Sequence, residues 1–185
     1  MTAPPEPAEG PPTLERDGAV ATLRLRRPSR RNSIGDADLA VLRGHLAAID
    51  ADPSVRVVQL AAVPAGGARP VFSAGYDVGG FEHAADAGPA GFAQLCDAVE
   101  ALRPVTVCAL GGSVYGGATD LVLACDLRVA RAGIEWRMPA AALGLHYYAG
   151  GLRRYVARLG VDGAKRAFLA GRALTVDELD RLGLF

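Results

Sequence analysis

The sequence has no excess of charge of either sign and no long apolar run. Its 185 residues include 20 basic and 20 acidic side chains, so the formal net charge is zero. Without a basic surplus there is no overall attraction to nucleic acid or to an anionic membrane surface, and neither is predicted as a partner. No segment offers the roughly 18 uninterrupted apolar residues of a membrane-spanning helix, so no membrane insertion is predicted.

Cysteine is also scarce, and its placement excludes the usual cysteine-based sites. Cys96, Cys108 and Cys125 are odd in number and lie among apolar neighbours. They show neither a C-x-x-C motif nor the Cys/His spacing of a metal site, so no metal is predicted. The amino terminus lacks a basic stretch followed by an apolar one. We therefore predict a cytoplasmic protein whose cysteines are reduced core residues.

Hydrophobic residues make up 50% of the sequence, which is enough for the core of one domain. Five of the first twelve residues are proline, a composition typical of disordered segments. We predict a disordered proline-rich tail at residues 1–12 and a single domain at residues 13–185.

Apolar periodicity alternates between the strand and helix patterns along this domain. Asp36 is placed as a helix N-cap, and Thr175 and Glu178 have the spacing of a capping box. Strands alternating with helices predict an α/β domain, although no internal sequence repeat is visible. The predicted strands are 20–28, 55–62, 105–110 and 126–130, and the predicted helices are 36–50, 90–104, 118–125, 150–160, 161–171 and 174–184.

The stretch "GGSVYGGATDLVLACD", residues 111–126, places four glycines between a predicted strand and a short apolar helix. A Walker phosphate loop needs a lysine and a hydroxyl after its last glycine, but Gly116 is followed by Gly117 and Ala118. The glycine spacing also fails the G-x-G-x-x-G pattern of dinucleotide-binding turns. The turn is therefore unsuited to nucleotide phosphates.

The turn is better suited to hold a negative charge that develops on the substrate during a reaction than to hold a nucleotide phosphate. The first free N–H groups of the helix would lie at about Gly117 and Ala118, where no bulky side chain blocks approach. An enolate or tetrahedral oxyanion needs two such donors converging on one atom. In "FSAGYD", residues 72–77, Gly75 could turn the N–H of Tyr76 into a cleft as the second donor. Two ordinary glycine turns at strand ends are the alternative.

Four segments, in order, resemble motifs of the crotonase (enoyl-CoA hydratase/isomerase) superfamily: "RRPSRRNSI", "FSAGYDV", "GGSVYGGATDLVLACDLRVA" and "GRALTVDELDRLGL". The resemblance implies an α/β fold, a crotonase-like spiral of repeated ββα units lacking most of the C-terminal helical region. It implies an acyl-CoA thioester as substrate, with coenzyme A part of that substrate and no prosthetic group. It also implies a role in fatty acid metabolism and a homo-oligomer, either a trimer or a hexamer.

The same resemblance implies roles for individual residues. The thioester oxygen, as an enolate, would be held between the N–H groups of Tyr76 and Gly117. Backbone groups near Ala74 would meet the CoA adenine, and Arg30 and Arg31 would meet its phosphates. A solvated basic turn is the alternative for the two arginines. Two further residues of the glycine motifs join the predicted CoA site, Asp77 and Gly116.

The catalytic carboxylates depart from the family pattern. Asp120 takes the position of the first family glutamate, whereas Ala140 stands where the P-E-x-x-x-G motif has the second, and alanine cannot exchange a proton. His146 and Tyr147, with Tyr148 beside them, could substitute as acid or base, or could simply pack against a helix or a subunit neighbour. We predict an enoyl-CoA hydratase/isomerase-like enzyme, a lyase or isomerase. The alternative is a catalytically inert crotonase-like protein that binds CoA thioesters or a partner.

Overall fold

The computed structural model describes residues 9–65, 69–77 and 88–185. Within these ranges the chain forms two sheets and five α-helices. The strands are Thr13–Asp17 (β1), Val20–Leu25 (β2), Val57–Ala62 (β3), Val71–Ser73 (β4), Val105–Leu110 (β5), Ser113–Tyr115 (β6), Leu127–Ala130 (β7), Glu135–Arg137 (β8) and Leu174–Thr175 (β9). The helices are Asp36–Ala51 (α1), Gly88–Glu100 (α2), Gly117–Ala124 (α3), Ala149–Phe168 (α4) and Val176–Arg181 (α5).

From β3 to β8, successive strands of the chain alternate between the two sheets. The larger sheet has the order β1-β2-β3-β5-β7 and the smaller has the order β4-β6-β8-β9. Three consecutive units, β3-β4-α2, β5-β6-α3 and β7-β8-α4, each place one strand in the larger sheet, one in the smaller sheet, and then a helix. This confirms the predicted α/β fold of repeated ββα units. The repeat lies in the order of elements, which explains why no sequence repeat accompanies it.

The long helices follow their apolar periodicity. In α1 the side chains of Leu39, Leu42, Leu46 and Ile49 are all buried in the core, as their spacing predicted. The capping box at α5 is also confirmed, because the Thr175 hydroxyl accepts a hydrogen bond from the N–H three residues on.

Two details of the helices refine the predictions. The N-cap of α1 is Gly35 and not Asp36, which is the first helical residue. The carboxylate of Asp38 accepts a hydrogen bond from the Gly35 N–H at 3.3 Å, so a downstream side chain does the capping. Helix α4 is interrupted at Gly160, with φ 70° and ψ 170°, in agreement with the two separate helices predicted there.

The sequence patterns did not predict β1 or β8, and they placed β6 in a turn and β9 within a helix. β1, "TLERD", pairs antiparallel with β2 alone and is largely exposed, so its polar composition suits an edge strand and hides the alternation. β8 has three residues, which is too short for a periodic signal.

Residues 9–12 correct the predicted extent of the disordered tail. The Gly10 N–H donates to the Arg26 carbonyl at 2.9 Å, and the Glu9 carboxylate accepts hydrogen bonds from the backbone N–H and hydroxyl of Ser29. Pro12 is buried, with its carbonyl 3.2 Å from His45 Nε2. These contacts tie the segment to the turn that follows β2 and to α1. The rest of the predicted tail, residues 1–8, lies outside the described residues.

The outer face of the larger sheet is apolar where β5 and β7 meet. Val105, Leu127 and Val129 are 47%, 57% and 58% exposed, while alternate residues of both strands point into the core. Exposed apolar surface of this kind is typical of protein contacts. The homo-oligomer, trimer or hexamer, stays a prediction.

Candidate functional site

Asn32 attaches the arginine-rich turn to strand β4. Its side chain is 1% exposed, and its amide nitrogen donates to the Phe72 carbonyl at 3.0 Å. Its amide oxygen accepts from the Arg27 N–H at 2.9 Å. A buried amide with both ends bonded holds its two segments in one register. Asn32, to which no role was assigned from sequence, therefore fixes the turn that carries Arg30 and Arg31.

The turn around Gly75 is held by hydrogen bonds on both sides. The Ser73 hydroxyl donates to the Asn32 carbonyl at 2.7 Å and accepts from the Gly75 N–H at 3.1 Å. Ile34 donates to the Gly75 carbonyl at 2.9 Å and accepts from the Asp77 N–H at 3.0 Å. Tyr76 lies between these two bonds, so its backbone is fixed in orientation.

Gly75 and the start of α3 approach so closely that a side chain does not fit between them. Gly75 has φ 91°, and a Cβ placed there would lie 2.7 Å from both the Gly117 nitrogen and the Tyr115 carbonyl oxygen. Real Cβ atoms do not approach backbone at that distance, and L side chains rarely adopt that φ. The two glycine turns predicted as donors are therefore packed against each other.

Helix α3 begins at this contact. Gly116, with φ 55°, donates its N–H to the Arg137 carbonyl at 2.9 Å, and Gly117 is the first helical residue. The first N–H groups of a helix have no carbonyl partner within it and carry the positive end of the helix dipole. The N–H of Gly117 is such a group.

A cavity of about 220 Å³ lies beside the two turns. Its lining includes Tyr76 and Gly117, the two predicted oxyanion donors, together with Ala74 and Gly116. The structure thus brings four of the residues predicted from the glycine motifs to one cavity.

The same cavity is lined by Ala140 and by the aromatic segment that follows it. His146 lines the cavity and is exposed to solvent. The Tyr147 ring lines it too, and also stacks on Tyr148 with centroids 4.4 Å apart and packs on Phe168 at 5.2 Å. Tyr147 therefore packs on helix α4, as one of its two alternatives predicted, while its role as acid or base stays a prediction.

Asp120 lies behind the cavity wall. It is fully buried at 0% exposure, and the described lining of the cavity does not include it. Its Oδ1 and Oδ2 atoms each accept a hydrogen bond at 2.8 Å from Arg154, through Nε and Nη2 respectively. Oδ2 also accepts a hydrogen bond from the Tyr148 hydroxyl. The sequence led us to expect a carboxylate facing the substrate, whereas this carboxylate faces an arginine and a tyrosine.

Arg154 is the buried centre of an ion cluster that joins three helices. It is 1% exposed and reaches from α4 to Asp120 on α3 and to Asp97 and Glu100 on α2, with N to O distances of 2.7 and 3.0 Å to the latter two. Burial alone would lower the pKa of the guanidinium, but the hydrogen bonds to Asp120 and Asp97 raise it above its usual value. The arginine therefore stays charged.

Tyr148 links this cluster to the cavity. It is one of the lining residues, and its hydroxyl donates to Asp120 and lies 3.6 Å from Cys96 Sγ. Burial, with the nearby Cys96 and Tyr147, raises the pKa of the Tyr148 hydroxyl well above its usual value, so the phenol is neutral at ordinary pH. The sequence placed Tyr148 beside the missing glutamate but gave no sign of its bond to Asp120, which is 28 residues away.

The predicted CoA-contacting residues lie on the adjoining surface. Arg30 ends the short helical turn Pro28–Arg30, and Arg31 follows it in the left-handed conformation, with φ 52°. Both are exposed, and the Arg31 carbonyl accepts from the Ala74 N–H at 2.8 Å. The arginines and Ala74 are therefore neighbours, as a shared CoA site requires. Asp77 is next to this segment through its bond to Ile34, and its role stays a prediction.

The described residues contain neither a metal-binding cluster nor a membrane-spanning helix. No group of three or more His, Cys, Asp or Glu side chains is arranged there to hold a metal ion. Likewise, none of the helices in the described ranges has the length and apolar character needed to cross a membrane.

Two sheets joined by successive ββα units, with paired glycine turns at one cavity, define a crotonase-like α/β protein. The family model described as enoyl-CoA hydratase/isomerase matches residues 15–185. The chain belongs to the enoyl-CoA hydratase/isomerase family.

Individual relatives agree with this assignment. The human enoyl-CoA hydratase domain-containing protein 2, mitochondrial, is 34% identical over 172 residues, which cover 91% of this chain and 58% of the human protein. The carnitinyl-CoA dehydratase of Salmonella paratyphi A is 31% identical over 175 residues, covering 92% of this chain and 65% of the relative. The chain thus matches less than two thirds of the length of either protein.

A solved structure shows the same fold. The crystal structure of an enoyl-CoA hydratase/isomerase family protein from Hyphomonas neptunium matches with a TM-score of 0.84 and 33% identity. The match covers 95% of this chain and 68% of that chain.

Proposed function

We propose that this protein is an enoyl-CoA hydratase/isomerase-like enzyme that binds an acyl-CoA thioester in the cavity and stabilises its enolate between the N–H groups of Tyr76 and Gly117. One observation carries the proposal: two glycine turns distant in sequence are packed together and line one cavity. Two donors on one atom are what an enolate oxygen needs, whereas two unrelated turns need not meet.

The surroundings of the donors favour this chemistry. Phe92, Met138, Leu143 and Leu145 also line the cavity, so an acyl chain would find apolar contacts there. A hydrogen bond to a developing charge is stronger where water is excluded. Backbone donors fixed by surrounding hydrogen bonds also need no reorganisation during the reaction.

The coenzyme A portion would lie on the surface beside the cavity. Arg30 and Arg31 would contact its phosphates, and backbone groups around Ala74 would contact its adenine. Exposed guanidinium groups suit phosphate because they offer several donors in a fixed planar arrangement.

Calorimetry with butyryl-CoA tests the binding half of the proposal. We expect wild-type protein to bind it, and the Arg30→Ala/Arg31→Ala double variant to bind about tenfold more weakly, since two charge-assisted contacts are lost. Arg181→Ala, an exposed arginine on α5, serves as the control and should leave the affinity unchanged. Equal affinities for all three proteins would contradict the placement of the phosphates.

A second candidate is a protein that binds CoA thioesters without turning them over. Ala140 and the burial of Asp120 favour it, because neither family carboxylate position presents an acid to the cavity. Turnover of crotonyl-CoA, followed by loss of the conjugated thioester absorbance, would contradict this candidate. Binding without turnover across a panel of acyl-CoAs would support it, and no binding at all would contradict both.

A further inference from the structure

The peptide group that joins Gly116 to Gly117 is held at its carbonyl end by Thr119. The Thr119 hydroxyl donates to the Gly116 carbonyl at 2.6 Å, and the Thr119 N–H donates to the same oxygen at 3.0 Å. A carbonyl oxygen has two lone pairs, so both are engaged. The Gly117 N–H, the proposed oxyanion donor, is at the opposite end of the same peptide group.

Fixing the carbonyl of this peptide also fixes the direction of its N–H. The peptide is planar and trans, so its carbonyl and its N–H point in opposite directions. Gly116 has φ 55° and ψ −135°, a conformation that residues with a side chain rarely adopt. Rotation of the peptide from this conformation would turn the N–H away from the cavity that Gly117 lines. The two hydrogen bonds from Thr119 oppose that rotation.

Thr119 is held in turn by helix α4. Thr119 and Tyr155 are both fully buried, and their hydroxyl groups form a hydrogen bond. Because a carbonyl can only accept, the Thr119 proton is donated to Gly116, and Tyr155 is therefore the donor to Thr119. The Tyr155 ring packs on Phe168 with centroids 4.6 Å apart, which fixes the direction of its hydroxyl. Hydrogen bonds thus run in series from α4 through Thr119 to the Gly116 carbonyl.

We propose that Thr119 is a positioning residue for the oxyanion site, which orients the Gly116–Gly117 peptide and strengthens its N–H as a donor to the substrate enolate. This inference rests on the proposed function. Hydrogen bonds in series polarise one another, so donors at the carbonyl increase the positive charge on the N–H at the other end of the peptide. The alternative is the ordinary bond of a helical threonine to a carbonyl one turn earlier, with no effect on the reaction.

The kinetic test is Thr119→Val, which removes the hydroxyl and keeps the branched shape of the side chain. We expect kcat for crotonyl-CoA hydration to fall about three- to tenfold, the range of one hydrogen bond. KM should change less than about twofold, because the donor is aimed at the charged enolate more than at the neutral thioester. Thr119→Ser, which keeps the hydroxyl, should retain kcat within about twofold of wild type.

Thr106→Val is the matched control. Thr106 is also buried, and its hydroxyl donates to the Asp126 carboxylate at 2.8 Å, but it lies on β5 and the described lining of the cavity does not include it. This variant loses a buried hydroxyl of the same kind and should keep the kcat of wild type. Equal kcat values for Thr119→Val and Thr106→Val would overturn the proposal.

A double variant separates positioning from stability. Thr119→Val deprives the buried Tyr155 hydroxyl of its acceptor, so it should also lower the melting temperature. Adding Tyr155→Phe removes that hydroxyl and should raise the melting temperature again, while kcat stays as low as in Thr119→Val. Recovery of kcat together with the melting temperature would show a purely structural role and would overturn the proposal. If Thr119→Val alone does not fold, the double variant is compared with Tyr155→Phe.

Infrared spectroscopy of bound butyryl-CoA separates this inference from the proposed function, because it needs no turnover. With an isotope label in the thioester carbonyl, wild-type protein should lower the C=O stretching frequency relative to free butyryl-CoA, since hydrogen bonds polarise the carbonyl. The shift should be smaller in Thr119→Val. Equal shifts in the two proteins would overturn the role of Thr119 while leaving the acyl-CoA site intact. Absence of butyryl-CoA binding by wild type would overturn the proposed function itself.

Discussion

Gly117→Pro should lower kcat for crotonyl-CoA by about 10²- to 10³-fold relative to Gly117→Ala, the usual loss on removing one oxyanion donor. Proline has no backbone N–H, so the substitution deletes the proposed donor without changing any polar side chain. Turnover of both variants is followed by the absorbance of the conjugated thioester. Proline also places a ring carbon on the Gly117 nitrogen, beside Gly75, so the melting temperature of each variant is measured together with kcat.

The local backbone makes this pair of variants well matched. Gly117 is the first residue of α3, where proline is favoured because its missing N–H has no partner within the helix. Gly117 is not among the described glycines with positive φ, so proline and alanine can both adopt its conformation. Either residue brings a Cβ to 2.9 Å from Phe92 Cε1, the edge of a side chain that can shift. The disturbance of Phe92 is therefore common to both.

Equal kcat values for the two variants would show that the Gly117 N–H does not contact the enolate. Melting temperatures provide the check on folding, since α3 should form in either variant. The affinity for butyryl-CoA should differ much less than kcat, because the donor is aimed at the charged enolate more than at the neutral thioester.

Local patterns predicted the parts of the site that depend on backbone. The turns at Gly75 and Gly116 could be predicted from sequence because glycine readily adopts the positive φ that both residues have, whereas the donor roles of Tyr76 and Gly117 stay predictions. The apolar spacing of α1 predicted its buried face for a similar reason. Such features are encoded within a few residues of chain.

Contacts between residues that are far apart in the sequence could not be predicted from local patterns. The bond from Arg154 to Asp120 spans 34 positions, and nothing in the α4 sequence distinguishes Arg154 from Arg153 beside it. One is 1% exposed at its side chain and the other 60%. The orientation of Asp120 away from the cavity follows from this pairing. The expectation that its carboxylate faces the substrate could therefore be revised only from the structure.

Arg154→Met should lower the free energy of unfolding by about 3–5 kcal/mol, the usual loss when one partner of a buried ion pair is removed. Asp120 would then be a carboxyl group at 0% exposure that has lost both guanidinium hydrogen bonds and keeps the bond from the Tyr148 hydroxyl. Arg153→Met is the control: it removes an arginine from the same helix that pairs with Glu100 at the surface, and it should change stability by about 1 kcal/mol or less. Urea denaturation measures both changes.

A double variant distinguishes loss of the ion pair from loss of packing. Arg154→Met/Asp120→Asn removes both charges, so it should be more stable than Arg154→Met by about 1–3 kcal/mol, the penalty for leaving a buried polar group without its partner. If the two are equally stable, the arginine contributes mainly through the packing of its aliphatic part between α2, α3 and α4. A full recovery would be unexpected, because Asp97 loses its bond to Arg154 and Glu100 keeps only Arg153, although both are exposed enough to be solvated. Partial recovery would show that the buried charge of Asp120 requires Arg154, and that the carboxylate behind Tyr148 is held in place by an arginine from another helix.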